Sequence, residues 1–324
     1  MRRKILIITT GGTISMKHNS PFGVIPNDEF AAHLKEFPQL AKIAIIDVYE
    51  HSNIPSPFMT PQKMVSLANL VDEKISNYDG VVITHGTDTL EETAYMLDLI
   101  LQTRKPIVFT AAMRSGSELG LDGPRNIVGA VRVAGSSKAA NRGVLVVMND
   151  EINSARDVTK TDSSKTDSFI SPSLGLLGII DPDKIIFYRK TEIYEKIETT
   201  KIETNIDLIK CSSGMDGRFL EASVQNGAKA IVIEAFGRGN IPQTMLSAIE
   251  KVLLKDILII IVSRTYTGRV LPEYGYEGGG LFLQNLGCIM GEEQKGTKMR
   301  IKLMALFGKF ESAEKVRNYL TSQK

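Results

Sequence analysis

Three short stretches bring together residue types that can do chemistry. The first, Thr9-Thr10-Gly11-Gly12-Thr13-Ile14-Ser15, sets a hydroxyl, Thr13, directly after paired glycines. Such glycines permit a tight turn with positive φ and let backbone N–H groups approach a ligand closely. A dinucleotide loop needs GxGxxG opening a helix, and a phosphate-cradling loop needs a Lys-Ser/Thr ending; neither pattern is present. A plain Gly-Gly turn with an incidental threonine stays open on these residues alone. The second stretch is Val82-Ile83-Thr84-His85-Gly86-Thr87-Asp88-Thr89-Leu90-Glu91. Asp88 with Glu91 three residues later has the form of a capping box. That would set Thr87 and Asp88 at a helix amino terminus, where free N–H groups and the dipole favour a bound carboxylate. His85 could serve as a general base, but no serine or cysteine in a nucleophile-elbow setting accompanies it, and a structural histidine is the simpler reading. The third stretch follows Met148-Asn149-Asp150 and runs Arg156-Asp157-Val158-Thr159-Lys160-Thr161-Asp162. It is either a solvated, charge-dense loop or, with Lys160 turned into a site, an ammonium that acidifies a threonine hydroxyl.

These stretches must be positioned by regular elements. Ile5–Thr9, Ile43–Val48, Gly80–Thr84, Ile107–Thr110 and Gly143–Met148 are Val/Ile-rich without polar alternation, the pattern of strands buried on both faces. Helical patterns lie between them at about Asp28–Phe37, Pro61–Asn77, Asp88–Gln102 and Arg125–Gly135, while Lys17–Asn27 reads as a polar loop. Strand–helix alternation implies right-handed crossovers, a mostly parallel sheet and an α/β domain. Its ligand site is expected beyond the carboxyl ends of the strands, where two of the three stretches begin. Between Tyr188 and Asn205 the composition turns to Lys, Glu and Thr without Gly or Pro. A linker is favoured there over a solvated edge hairpin. The expected organisation is a larger amino-terminal α/β domain over 1–187, a linker over 188–206, and a smaller carboxy-terminal α/β domain over 207–324. In the latter, Asp207–Lys210, Ala230–Ile233 and Ile257–Val262 read as strands, and Arg218–Asn226 and Gln243–Leu254 as helices. A Gly278–Gly280 bend and helical patterns near Lys298–Leu306 and Ser312–Leu320 close the chain.

Composition narrows the function classes. At 324 residues the chain exceeds the usual extent of one hydrophobic core. With 39 Lys+Arg against 37 Asp+Glu, interspersed, nothing electrostatic favours nucleic acid or an anionic membrane. The two cysteines, Cys211 and Cys288, fall outside any CxxC or Cys/His cluster, so no zinc site and no disulfide framework are expected. The apolar run after Met1-Arg2-Arg3-Lys4 is too short for a secretion signal, and no run reaches membrane-spanning length, so a soluble cytoplasmic protein is expected.

Five pieces in register, Thr9–Ser15, Ile83–Tyr95, Asp122–Asn126, Arg142–Ile152 and Ala155–Thr161, resemble the bacterial L-asparaginase/glutaminase family, with likeness thinning after the linker. The resemblance implies hydrolysis of the side-chain amide of L-asparagine, and to varying extents L-glutamine, without metal or organic cofactor. It implies two α/β domains, and active sites between the subunits of close dimers that pair into tetramers. Thr13 matches the usual nucleophile, and Thr87, Asp88 and Lys160 match the second catalytic group. Asp88 also matches the residue holding the substrate α-amino group, and Ser56 one contacting its α-carboxylate. Backbone N–H groups near Gly12 and Gly86 suit the oxyanion. A glutamate given by a partner subunit falls on Glu273 or Glu277, with Asn240 as a neighbouring contact. Which threonine attacks first stays open. The loop Lys17–Val24 lacks the family's activating tyrosine and offers Phe22, which has no hydroxyl. Two other readings remain: a non-catalytic amino-acid-binding or sensing protein, and the amidase subunit of a tRNA-dependent amidotransferase. The first strand beginning near Lys4 and the near-neutral charge speak against the latter.

Overall fold

The computed structural model describes residues 2–19, 23–191 and 195–322, which divide into two compact units, Met1–Lys196 and Ile197–Lys324. The first unit begins with β1 (Lys4–Thr9), β2 (Met16–Asn19), β3 (Gly23–Pro26), α1 (Phe30–Glu36), α2 (Pro38–Ile43) and β4 (Ile45–Glu50). It continues with α3 (Pro61–Lys74), β5 (Gly80–Thr84), α4 (Leu90–Ile100), β6 (Ile107–Thr110), α5 (Gly123–Ala134) and β7 (Val144–Met148). Five short strands end it: β8 (Glu151–Ser154), β9 (Thr159–Lys160), β10 (Phe169–Ile170), β11 (Gly178–Ile180) and β12 (Ile185–Phe187).

Its eight-stranded sheet has the order β12-β11-β8-β7-β6-β5-β1-β4. The stretch from β4 to β7 is parallel, and β8, β11 and β12 extend it antiparallel. β5, β6 and β7 are buried at every residue, which their unbroken Val/Ile content makes favourable only with both faces covered. Ile5, Ile7, Val82, Val108, Leu145 and Val147 form one covered face, against Ile127 and Val131 of α5 and Leu34 and Leu40 of α1 and α2. From β1 the chain goes to β4 on one side of the sheet, and from β5 to β6 on the other. The carboxyl ends of β1 and β5 therefore flank a reversal of strand order, the place where an open α/β sheet leaves a crevice.

Local differences from the sequence expectation have physical causes. Ile43 ends α2, which Pro38 starts at its first helical position, so β4 begins only at Ile45. Lys17–Asn27 is not a plain loop: Met16 pairs with Pro26 and Asn19 with Gly23 in an antiparallel hairpin. Phe22 lies outside the described residues. Between the sheet and the second unit, the stretch after Phe187 is tied down: Thr191 donates to the Arg142 carbonyl at 3.0 Å, and Lys196 pairs with Asp98 at 3.6 Å.

The second unit contains β13 (Ile206–Lys210), α6 (Arg218–Gln225), β14 (Ala230–Ala235), α7 (Leu246–Leu253) and β15 (Leu258–Ser263). It closes with α8 (Gly280–Leu286), β16 (Ile289–Met290), α9 (Gly296–Phe310) and α10 (Ala313–Ser322). Its four strands are parallel and follow chain order, β13-β14-β15-β16. Ile209, Ile231, Ile233, Ile259 and Ile261 pack against Leu220 of α6 and Ile249 and Val252 of α7. The Gly278–Gly280 bend leads straight into α8, a helix absent from the sequence reading because its first turn carries Gly280. Among the described residues, no helix is long and apolar enough to cross a membrane.

Candidate active site

The turn after β1 is stitched to the segment after β4. Ile54 N–H donates to the Thr10 carbonyl, and Gly12 N–H donates to the Ile54 carbonyl, both at 3.1 Å. Thr10 also gives its N–H and its hydroxyl to the carbonyl of Thr84, at the end of β5. Gly12 has φ +85°, and a Cβ there would lie 2.2 Å from the Gly86 Cα, so the two loops meet backbone to backbone. Thr13 and Thr87 are the next residue in each loop and leave from this one contact. A Cβ on Gly86 would in turn lie 2.7 Å from the Ser56 Cβ, which brings the third loop against the same point.

Ser56 is buried, and its hydroxyl oxygen accepts the Asp88 N–H at 3.2 Å. Thr89 donates its hydroxyl to the Ser56 carbonyl at 2.8 Å. These bonds fix the loop Gly86–Thr89 and correct the capping-box expectation. Helix α4 starts at Leu90 with Thr89 as its N-cap residue, and no side chain caps it. The Asp88 carboxylate goes instead to Lys160, whose ammonium offers a stronger, charge-assisted bond than a backbone N–H.

Lys160 sits on β9, in a two-stranded ribbon where it pairs with Phe169 of β10. The turn before it is held by Asp157, which accepts Ser154 Oγ at 2.8 Å and Arg156 Nη1 at 2.7 Å; Asp157 and Arg156 side chains are only 8% and 14% exposed. Lys160 Nζ lies 2.9 Å from Thr87 Oγ1 and 2.7 Å from Asp88 Oδ1. Its side chain is 16% exposed whereas that of Asp88 is 60% exposed, so the carboxylate keeps an open side toward solvent. The ammonium is thus inside the cluster, and the solvated-loop alternative for Lys160 is excluded. A cation donating to a hydroxyl oxygen stabilises the alkoxide form and so makes the hydroxyl a better nucleophile or proton relay.

His85 is fully buried with its ring 5.9 Å from that of Phe109. Nδ1 is 2.8 Å from the Gly86 carbonyl oxygen, which makes Nδ1 the protonated nitrogen of the neutral ring. Burial pushes its pKa down to about 4, so it is neutral near pH 7 and serves the loop geometry. Gly12 itself is no oxyanion donor, because its N–H is committed to Ile54. The N–H groups of the following threonines are the alternatives.

Gly12, Ser56, Gly86, Thr87, Asp88 and Lys160 are therefore joined by direct contacts. Asn240 and Glu273 belong to the second unit. There the Asn240 amide oxygen accepts Gly280 N–H at 3.2 Å, Glu273 pairs with Arg238 at 3.4 Å, and Glu277 accepts from Gln243. Sequence reasoning passed over Thr89 and Asp157. Thr89 follows two other threonine-or-acid positions with no distinguishing spacing, and Asp157 lies among other charges. Among the described residues no group of three His, Cys, Asp or Glu side chains is placed to hold a metal ion.

Comparison with known proteins extends over both units. Residues 4–193 match the family described as Asparaginase, N-terminal, and residues 205–320 match the Glutaminase/Asparaginase C-terminal domain. An L-asparaginase of Bacillus licheniformis is 35% identical over 317 residues, spanning 97% of this chain and 98% of its own length. A glutaminase-asparaginase of Pseudomonas fluorescens biotype A is 34% identical, over 82% of this chain and 76% of its own. The crystal structure of a probable cytoplasmic L-asparaginase from Campylobacter jejuni superposes with a TM-score of 0.87 at 31% identity, covering 99% of both chains.

Proposed function

Because the chain belongs to the asparaginase family, we propose that it is an amidohydrolase that converts L-asparagine to aspartate and ammonia. L-Glutamine, one methylene longer, is a second substrate, since such a difference changes discrimination by only ~1–3 kcal/mol. In this reading the Thr13 hydroxyl attacks the amide carbon. N–H groups of Thr13 and Thr87 face the developing oxyanion, and as the C–N bond breaks the nitrogen leaves as ammonia with the proton given up by the Thr13 hydroxyl. Thr87 then takes a proton from the attacking water and passes its own to the Thr13 oxygen as the ester bond breaks, with Lys160 donating to steady the charge on Thr87; aspartate leaves and Thr13 regains its hydroxyl. Asp88, open on one side, holds the substrate α-ammonium, and Ser56 faces the α-carboxylate. No step needs a metal or an organic cofactor.

The observation that carries the reading is the ammonium of Lys160 bridging Thr87 and Asp88 beside the Gly12–Gly86 contact. Amino-acid binding alone needs the carboxylate but gives no reason for a lysine on the threonine. A cytoplasmic setting follows from likeness to the Campylobacter jejuni protein, which is described as cytoplasmic. Assembly into close dimers that pair as tetramers, with Glu273 or Glu277 and Asn240 reaching a neighbouring site, belongs to the same proposal. Ammonia release by the purified chain at millimolar L-asparagine and L-glutamine tests it. No release above background would mark a sensing protein, and release only on adding tRNA would mark an amidotransferase subunit.

A further inference from the structure

Against the turn that carries Thr13, within the first unit, lies a cavity of ≈ 410 Å³. Ile14 and Met16 of the turn and hairpin wall it, with Phe30 and Leu34 of α1, Phe37 between α1 and α2, and Ile127 of α5. Lys17, His33 and Arg114 stand on its lining, and no carboxylate lines it among the described residues. The adjacent Asp122 is occupied by the N–H groups of Met113 and Arg114, at 3.0 Å each, and by the Asn126 amide at 3.1 Å. Lys17 pairs with Glu29 at 3.8 Å, but both side chains are well exposed, so the pairing is weak and Lys17 is free to turn to another anion.

Volumes of about 300–1,000 Å³ with apolar walls and a few polar groups are those of small organic ligands. Here the walls suit a hydrocarbon or aromatic tail, and the Lys17 ammonium and Arg114 guanidinium suit one negative head. Arg114 Nη1 donates to the Gly120 carbonyl at 3.0 Å, which leaves its other N–H groups for a carboxylate, and a compact polyanion would leave the walls wet. We infer that this cavity is a second small-molecule site, for an amphipathic organic monocarboxylate, coupled to the catalytic turn. Ile14 and Ser15 share one 3-10 turn with Thr13, and Ser15 donates its buried hydroxyl to the Gly12 carbonyl at 2.9 Å. The hairpin is held to the segment before α5 by Gly116 N–H on the Met16 carbonyl at 3.1 Å and His18 N–H on Ser117 Oγ at 2.9 Å. A ligand between them braces the turn from behind. Coupling of that kind is reciprocal: substrate-site occupancy changes affinity at the cavity by the same factor.

The binding half stands whatever reaction the chain catalyses, whereas the kinetic half rests on the proposed asparaginase activity. The test is calorimetric titration of the full chain with 4-phenylbutyrate, with 4-phenylbutanol (tail without charge) and acetate (charge without tail) alongside. The acid is expected to bind at submillimolar concentration and each control at least about tenfold more weakly. Arg114→Gln removes a lining cation and Leu121→Trp, at a half-exposed position, narrows the cavity. Each weakens 4-phenylbutyrate by about tenfold with an unchanged unfolding temperature, and Arg114→Gln alone decides if the tryptophan variant misfolds. Saturating probe is expected to change KM for L-asparagine by about twofold or more. Absence of binding at millimolar probe, equal binding of the alcohol, or indifference to Arg114→Gln overturns the site. Binding with unchanged KM in an active enzyme overturns the coupling.

Discussion

The two units share an architecture and differ in where their loops spend polar groups. In the first, strand order reverses between β1 and β5, and the loops beyond them meet at Gly12 and Gly86. In the second, the strands follow chain order with no reversal, and the loops beyond β13, β14 and β15 are tied to one another through backbone carbonyls. Ser263 donates to the Gly237 carbonyl at 2.6 Å, and Arg264 donates to the Cys211 carbonyl at 2.9 Å. Lys295 offers the sharpest contrast with Lys160. Its ammonium donates to the backbone carbonyl of Thr265 at 2.9 Å, and burial lowers its pKa. An ammonium on a carbonyl oxygen can only hold a loop. On a threonine hydroxyl and a carboxylate it can move a proton. A parallel sheet thus supplies loop ends, and a reversal in strand order lets two of them meet at one point.

The largest effect separating the units is expected at that lysine. Lys160→Met keeps the stem and removes the charge, and kcat for L-asparagine should fall by about 10²–10⁴-fold with little change in unfolding temperature. Steady-state ammonia release checks this; a rate near that of the parent would erase the contrast with Lys295. Next come the glycines. Gly12→Ala drives a Cβ into the Gly86 backbone at positive φ and should cost about 3 kcal/mol or more, whereas Gly214→Ala, at φ +73° with open space around it, should cost about 1 kcal/mol. Denaturant unfolding of both variants decides; equal costs would mean that the Gly12–Gly86 approach is not tight.

A third difference is in acid response. The folded pKa of His85 is about 4 against an ordinary 6.5, so the unfolded chain takes up this proton first as the pH falls. Stability contributed by the neutral ring is full above pH 6.5 and is lost progressively toward pH 4, by on the order of 3 kcal/mol. His85→Asn should flatten the loss of unfolding temperature between pH 7 and pH 4.5 relative to the parent, and parallel curves would contradict the burial. Smallest is the pair Lys251–Glu221 on the second unit, 3.7 Å apart with exposures of 66% and 55%. Lys251→Ala should change stability by no more than about 0.5 kcal/mol, measured by the same unfolding experiment.

Much of this was legible in the residues. The parallel strands stand out because burial on both faces demands unbroken Val and Ile, and β5 and β6 fall where that content does. Thr13, Thr87 and Asp88 were marked by following strand ends. Lys160 was not settled by spacing, since its approach to Thr87 depends on the β9–β10 ribbon and the Asp157 turn, formed by contacts remote from the other loops. The capping-box reading of Asp88 failed because a nearby ammonium outbids a backbone N–H for the carboxylate. Short strands such as β11 and β12 carry too few residues for any period to show, and β2 and β3 are only four residues each.

The central claim is that Thr87 and Lys160 form one working unit beside Thr13. Ammonia release from L-asparagine by a Thr87→Val variant, followed from the first turnover and matched to the parent in unfolding temperature, tests it most directly. The expected record is at most one equivalent per active site and then essentially no steady release. Continued turnover near the parent rate would contradict the assignment.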